Sequence, residues 1–93
     1  MRIRWLDQAL DDLEAVRIYI ARDNPSAPAQ VARRIRRAAK MLTEYPAAGR
    51  PGRVLNTREL VVSGTPYILP YRVRGNVLEI LRVLHAARKW PER

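Results

Sequence analysis

The chain has 93 residues, 47% hydrophobic and 29% charged, so it is long enough for one globular domain (1–93) and too short for two. It has no cysteine, which excludes disulfides and thiolate metal sites, and no apolar run approaches the roughly 20 residues of a membrane span. Acidic residues directly after the first five positions argue against a secretory signal, so we expect a soluble, cytoplasmic protein with no membrane partner.

The net charge of +9 is unevenly distributed along the chain. Five of the nine acids lie in the first quarter, whereas residues 33–58 carry eight bases against one acid, Glu44. Such a field attracts a polyanion, either nucleic acid or an acidic protein, and composition does not choose between them.

The first half predicts a strand followed by a helical hairpin. Residues 1–5 alternate as a strand does, and Asp7 is expected to cap a first helix that stops near Asp23. The apolar stripe of that helix is predicted at Leu6, Ala9, Leu10, Leu13, Val16 and Ile20. A second helix is predicted for residues 25–44, capped by Asn24 or Ser26. Its core stripe is predicted at Val31, Ile35, Ala38, Leu42 and Tyr45.

Residues 46–52 break helical structure, and the apolar period then changes from 3.6 to 2. Strands are predicted at 59–63, 67–74 and 77–85, where Pro70 requires a bulge or a position without a hydrogen bond. The order β-α-α-β-β-β predicts an α+β fold, a helical hairpin packed on a mostly antiparallel sheet.

The sequence lacks a glycine-rich phosphate loop, an HExxH motif and a Cys/His cluster, so we expect no metal and no cofactor. His85 could act as a general acid or base, or could instead hydrogen-bond at a strand end and orient the tail. Four arginines could bind phosphate bidentately: Arg58, Arg72, Arg82 and Arg88. Arg72 could instead pair with Glu79 across the hairpin or near it.

Arg82 and His85 are three residues apart, so strand alternation predicts opposite faces unless a bulge intervenes. Trp90 lies beyond the last strand and either clamps the tail to the sheet or anchors a partner. The bases of the second helix form either a solvated face or a docking site for an acidic partner.

Four motifs follow one another: Pro46-Ala47-Ala48-Gly49-Arg50-Pro51-Gly52, Thr57-Arg58-Glu59-Leu60, Tyr67-Ile68-Leu69-Pro70-Tyr71-Arg72-Val73, and the stretch from Ile80 to Pro91. In this order they resemble the RelE/ParE toxin superfamily, and most closely its ParE branch. The resemblance implies a microbial-RNase-like toxin fold and a ParD-type antitoxin. In that family a ribbon-helix-helix antitoxin dimer binds operator DNA, so operator contact is expected only through the antitoxin, whose C-terminal segment wraps the toxin.

The resemblance leaves two targets open. ParE-type toxins poison DNA gyrase, whereas RelE-type toxins cut mRNA in the ribosome. Val61 stands where RelE-like nucleases carry a catalytic arginine, and no tyrosine follows Tyr71 to match the one they carry after an arginine like Arg88. These departures favour a gyrase toxin that acts by binding, with no catalytic residues. The alternative is a metal-independent mRNA interferase with His85 as base and Arg58, Arg72 or Arg88 steadying the phosphate.

A plain nucleic-acid binder is the least favoured reading, because the bases are not interleaved with the aromatic residues that single-strand binders use for stacking. The residues predicted to contact the target are Arg58, Arg82, His85, Arg88 and Trp90. The residues predicted to bind an acidic, amphipathic antitoxin tail are Leu13, Val16, Ile20, Arg33, Arg36, Arg37 and Lys40.

Overall fold

The computed structural model describes residues 1–87 and 90–91, which form a helical hairpin packed on one face of a sheet. In chain order the elements are β1 (Arg2–Trp5), α1 (Asp7–Asp23), α2 (Pro28–Glu44), β2 (Arg50–Pro51), β3 (Arg58–Val61), β4 (Tyr67–Arg74), β5 (Val77–Ile80) and β6 (Leu84–His85). This arrangement confirms the predicted α+β fold. Neither described helix has the length and apolar character needed to cross a membrane.

The strands run in the order β1-β5-β4-β3-β2 across the sheet, and β6 also pairs with β4. β1 is parallel to β5, while the remaining pairs are antiparallel. Gly75 has φ 59°, as the tight turn between β4 and β5 requires. β5 and β6, which lie within the third strand predicted from the sequence, both pair with β4.

The core lies between the hairpin and the sheet face formed by alternate residues of β4 and β5. Tyr71, Leu78 and Ile80 are fully buried there, in one cluster with Ile35 and Leu42 of α2. Because burying one large apolar side chain contributes about 1.5–3 kcal/mol, this cluster holds hairpin and sheet together.

The helix starts differ from the prediction. α2 begins at Pro28 rather than at residue 25, because proline is well suited to the first helical turn. Asn24 accepts hydrogen bonds from the amide and hydroxyl of Ser26, at 3.2 and 2.8 Å, so these two residues form a local turn and do not cap α2. Asp7 does not cap α1 either, since Leu6 holds that position and Asp7 lies in the first turn.

The buried stripes are also offset from the prediction. In α1 the buried residues are Ala9, Leu13 and Val16, whereas Leu10 is 49% exposed. In α2 the buried residues are Pro28, Ala32, Ile35, Ala39 and Leu42. Tyr45 follows the end of α2 and is 62% exposed, so its predicted place in the core is wrong.

The third predicted strand is interrupted. β5 pairs with β4 up to Tyr71 and β6 resumes at Ile68, so residues 81–83 face only two residues of β4. One extra residue on one strand is a β-bulge. Pro70 lies at this point, where its carbonyl accepts a hydrogen bond of 2.8 Å from the amide of Leu81. Of the two alternatives predicted for Pro70, a bulge or a position without a hydrogen bond, the structure shows the bulge, and the prediction of one continuous strand is wrong.

β2 was not predicted, because residues 46–52 read only as a break in helical structure. Arg50 and Pro51 nevertheless pair with Glu59 and Arg58 of β3. A two-residue strand depends on contacts with its neighbour and leaves no periodic pattern in the sequence.

Candidate functional site

A cleft of about 450 Å³ opens between the helical hairpin and the end of the sheet where β6 pairs with β4. Val16 and Ile20 of α1 and Val31 of α2 line its helix side, and Tyr67 and His85 line its sheet side. We call this the helical cleft. Concave, mainly apolar surfaces of this size are where proteins accept ligands or partner side chains.

The carboxylate of Asp12 ties the wall of the helical cleft to the bulge. It accepts hydrogen bonds from Nε and Nη2 of Arg82, at 2.7 and 3.0 Å, and from the backbone amide of Val83 at 2.9 Å. The bulge leaves that amide outside the strand ladder, and Asp12 satisfies it. Because of the bulge, Arg82 reaches α1 on the side of the sheet where His85 also lies, so strict alternation does not separate the two residues.

The imidazole of His85 lies at the rim of the helical cleft, edge-on to Tyr67. The two ring centroids are 5.9 Å apart and the planes are inclined by 84°. Nδ1 accepts a hydrogen bond of 3.1 Å from the amide of Ala87, so the neutral ring carries its proton on Nε2. Burial raises the pKa of Tyr67, which keeps its hydroxyl protonated at neutral pH. The bond to Ala87 is the kind of contact that the structural interpretation of His85 predicts.

Arg58 holds the segment that follows α2 against the sheet. Its Nη1 donates to the carbonyl oxygen of Gly49 at 2.7 Å. The buried hydroxyl of Tyr71 donates to the carbonyl oxygen of Pro46 at 2.7 Å and accepts from the amide of Gly49 at 2.9 Å. Burial raises the pKa of Tyr71, so this hydroxyl stays protonated and able to donate. The guanidinium of Arg58 is therefore engaged in fixing a loop.

Of the residues predicted for the nuclease alternative, the three that the structure describes do not converge on one site. Arg58 and Arg72 line one cavity of about 310 Å³, whereas His85 lines the helical cleft. Arg72 faces Glu79 across the hairpin with 2.7 Å between Nε and Oε1, which confirms the predicted pair. Arg88 lies outside the described residues. Across residues 1–87 and 90–91, the His, Asp and Glu side chains form no group of three that could hold a metal ion.

Two of the residues predicted to contact the target come together. Arg82 and Trp90 line a cavity of about 400 Å³ with Leu55 and Arg72. Trp90 is partly buried and Leu55 is 86% exposed, so this rim offers apolar surface beside guanidinium groups. Both interpretations of Trp90, clamp or anchor, stay open.

The residues predicted to bind the antitoxin fall into three groups. Val16 and Ile20 line the helical cleft. Leu13 is only 9% exposed and packs in the core, so little of its surface is left for a partner. The four cations of α2 that were predicted to bind the antitoxin are all exposed: Arg33, Arg36, Arg37 and Lys40.

A second groove, the edge groove, lies between α2 and the outer edge of β3. Arg37 and Met41 line its helix side, and Leu60 and Val61 line its sheet side. β2 pairs only with the first two residues of β3, so among the described strands the outer edge of Leu60 and Val61 is unpaired. An open strand edge presents backbone donors and acceptors to an extended partner segment.

Sequence reasoning missed Asp12 as well as Arg2, Arg4 and Arg74, which join Arg72 on the sheet face opposite the helices. The signal for the arginines was present, because arginine alternates in Arg2-Ile3-Arg4 and in Arg72-Val73-Arg74. No local signal marked Asp12, whose partner Arg82 lies 70 residues away in the chain.

A family model, two curated relatives and a solved structure match this chain. Residues 3–90 match the family described as the ParE toxin of the type II toxin–antitoxin system, parDE. The chain is 52% identical over 91 residues to the candidate toxin Y4kP of Sinorhizobium fredii, covering 98% of this chain and 94% of that protein. It is 41% identical over 87 residues to toxin RelE2 of Caulobacter vibrioides, covering 94% of this chain and 97% of that protein.

A solved structure from the chromosomal ParDE toxin–antitoxin system of P. aeruginosa has a similar fold, with a TM-score of 0.85 and 28% sequence identity. The match covers 91% of this chain and 95% of the other. The family match spans nearly the whole chain and includes the helical cleft and the bulge. The chain therefore belongs to the ParE family of type II toxin–antitoxin toxins.

Proposed function

We propose that this toxin acts by binding DNA gyrase, and that a ParD-type antitoxin neutralises it by laying its C-terminal segment along the helical hairpin. The observation that carries the antitoxin proposal is the helical cleft, with Ile20, Val31 and Tyr67 in its walls. Apolar residues of the antitoxin would fill the cleft, and acidic residues would meet the exposed cations of α2. Charge would then speed association, and apolar burial would set the lifetime of the complex.

The edge groove extends this path along the other side of α2. It combines Arg37 with the apolar side chains of Met41 and Leu60 and with the unpaired edge of β3. A segment alternating acidic and apolar residues fits that combination, because one side faces cations while the backbone pairs with the strand.

Action by binding is supported by the separation of the candidate catalytic groups that the structure describes. His85 lines the helical cleft, while Arg72 is paired with Glu79 and Arg58 donates to a loop carbonyl. A general base and the group that stabilises the phosphorane must converge within hydrogen-bond reach of one phosphate. The contact with gyrase is proposed for the rim formed by Arg82 and Trp90.

The test uses purified gyrase with relaxed and supercoiled plasmid, titrated with the toxin and then with the antitoxin. We expect supercoiling to stop and covalent gyrase–DNA complexes to accumulate, and the antitoxin to reverse both effects. An SOS reporter should respond in cells. Unchanged supercoiling at saturating toxin would contradict the proposal.

A ribosome-dependent mRNA interferase is the competing function, and the relative named RelE2 is the observation in its favour. Toe-printing on translating ribosomes separates the two, since an interferase leaves cut messages at defined codon positions. Our proposal predicts intact messages at toxin concentrations that arrest gyrase. The variant His85→Ala provides a matched check, because an interferase using His85 as base would lose cleavage with little change in ribosome binding.

A further inference from the structure

The sheet face opposite the helices carries four arginines arranged around one glutamate. The register sets Arg4, Glu79 and Arg72 in one row across β1, β5 and β4, and sets Arg2 and Arg74 in the next row. We call Arg2, Arg4, Arg72 and Arg74 the arginine quartet. Residues two apart on a strand lie about 6.6 Å from each other, and β1 and β4 are about 9.6 Å apart, so the quartet forms a compact rectangle.

Glu79 contacts three of the four arginines of the quartet. Its carboxylate lies 2.7 Å from Arg72, 3.9 Å from Arg4 and 3.9 Å from Arg74, and its side chain is 8% exposed. The hydrogen bond from Arg72 and the charges of the neighbouring arginines hold the pKa of Glu79 below its ordinary value of 4.5. At neutral pH one carboxylate thus faces four guanidiniums, which leaves three positive charges uncompensated in this part of the face.

The outward parts of the quartet remain available to a ligand. The side chains of Arg4 and Arg74 are 69% and 67% exposed, and that of Arg72 is 37% exposed. Each guanidinium has five N–H donors in a planar fork, so a bond to Glu79 leaves others for a second anion. Planar forks of this kind match the oxygen pairs of a phosphate.

We propose that the arginine quartet is a binding surface for the phosphodiester backbone of nucleic acid, recognised without regard to base sequence. The quartet offers no apolar side chain larger than Val77 between its arginines, whereas a protein partner requires apolar or aromatic anchors at the centre of its interface. Duplex DNA carries about one phosphate per 3.4 Å of axis on each strand, so several phosphates fall within reach of the four guanidiniums. This surface is separate from the helical cleft, and the proposal goes beyond the proposed function.

Binding of the isolated full-length chain to labelled 20-base-pair duplex DNA of mixed sequence tests the proposal, by fluorescence anisotropy over a range of NaCl concentrations. The triple variant Arg2→Gln, Arg4→Gln, Arg74→Gln is expected to bind at least tenfold more weakly at about 100 mM salt. The slope of log affinity against log salt should fall by about 2 to 3, in line with the loss of that many phosphate contacts.

The matched control is Arg33→Gln, Arg36→Gln, Arg37→Gln, which removes the same charge from the exposed face of α2. We expect its affinity to stay within about threefold of the native chain. Equal losses in both triple variants would overturn the proposal, because net charge alone would then explain binding. Native affinity in the quartet variant would overturn it as well.

Two further binding measurements, with RNA and with polyglutamate, identify the source of the anionic groups. Tighter binding to the duplex indicates DNA, and tighter binding to a 20-nucleotide RNA indicates a transcript; either outcome supports a phosphodiester site. Polyglutamate that competes as well as DNA per charge would instead assign the surface to an acidic protein and overturn the proposal. If the triple variant fails to fold, the single variants R4Q and R74Q are compared with R33Q and R36Q. The assay contains no gyrase and no ribosomes, so its failure leaves the proposed function untouched.

Discussion

The two faces of the sheet use the same strands for different kinds of surface. The face toward the helices presents Tyr67, Tyr71 and Ile80 and continues into the apolar helical cleft. The opposite face presents the arginine quartet around Glu79. Successive side chains of a strand point to opposite faces, so eight residues of β4 supply both surfaces at once.

This difference separates two modes of recognition on one small domain. Apolar contacts in the helical cleft are stabilised by the burial of nonpolar surface, which salt concentration barely affects. Such contacts suit a protein partner in a long-lived complex. Binding of nucleic acid to the charged face would be driven by counterion release, so its affinity would fall steeply as the salt concentration rises. In the proposed function the α2 cations combine the two modes, because their charge would steer the antitoxin toward the apolar cleft.

The link between α1 and the bulge gives the largest expected effect. Asp12→Ala leaves the guanidinium of Arg82 and the amide of Val83 without their carboxylate, and the Arg82 and Asp12 side chains are only 15% and 13% exposed. We expect a loss of about 3 kcal/mol in the free energy of unfolding, measured by urea denaturation. Asp11→Ala, one residue earlier and exposed, is the control and should change stability by less than about 0.5 kcal/mol. Equal effects of the two variants would show that the bulge does not depend on Asp12.

The hydroxyl of Tyr71 is a buried, hydrogen-bonded polar group on the sheet face that packs against the helices. Tyr71→Phe keeps the ring packed but removes the partner of the Pro46 carbonyl and of the Gly49 amide. We expect the free energy of unfolding to be about 1–2 kcal/mol lower than that of the native protein. The control is Tyr45→Phe, because Tyr45 is 62% exposed. A neutral Tyr71→Phe would mean that water replaces the hydroxyl without loss.

The apolar mode predicts an asymmetry between two isoleucines of α1. Ile20 lines the helical cleft, whereas Ile18 is 54% exposed and does not line it. Ile20→Ala should weaken the affinity for the C-terminal segment of the cognate antitoxin about tenfold, mostly through faster dissociation, and Ile18→Ala should leave it nearly unchanged. Calorimetry and surface plasmon resonance measure both. If only Ile18→Ala lost affinity for the antitoxin segment, the segment would have to bind outside the helical cleft.

The charged face predicts a pH dependence of stability, because Glu79 lies among the arginines there. The pKa of Glu79 is lower in the folded chain than its ordinary value of 4.5, mainly because Arg72 donates to it. Its stabilisation is therefore complete above about pH 4.5 and disappears as the pH falls through the lower folded value. Glu79→Gln should flatten the acid limb of stability, measured as urea midpoints between pH 3 and 6. Glu14→Gln, which removes an exposed carboxylate, is the control. An unchanged acid limb in Glu79→Gln would show that Glu79 does not cause the loss of stability in acid.

Periodicity predicted β1, the helical hairpin and the β4–β5 hairpin, because each depends on residues close together in the chain. The pair of Arg72 and Glu79 followed from the turn at residues 75–76 in the same way. The extra residue at 81–83 was foreseen only as an alternative, at Pro70 and between Arg82 and His85. Its stabilisation by Asp12 depends on a contact with a residue 70 positions away in the chain. Leu13 was assigned to a partner although it packs in the core, because a single apolar stripe does not reveal where the core ends and a cleft begins.

The central claim is that this toxin acts on gyrase as a stoichiometric binder, and a titration of a fixed gyrase concentration tests it most directly. Our account predicts that supercoiling falls in proportion to added toxin and stops near a fixed toxin-to-gyrase ratio, with activity restored when antitoxin is added. Arrest at toxin concentrations far below that of its target, or unaffected gyrase alongside cut messages on ribosomes, would contradict it.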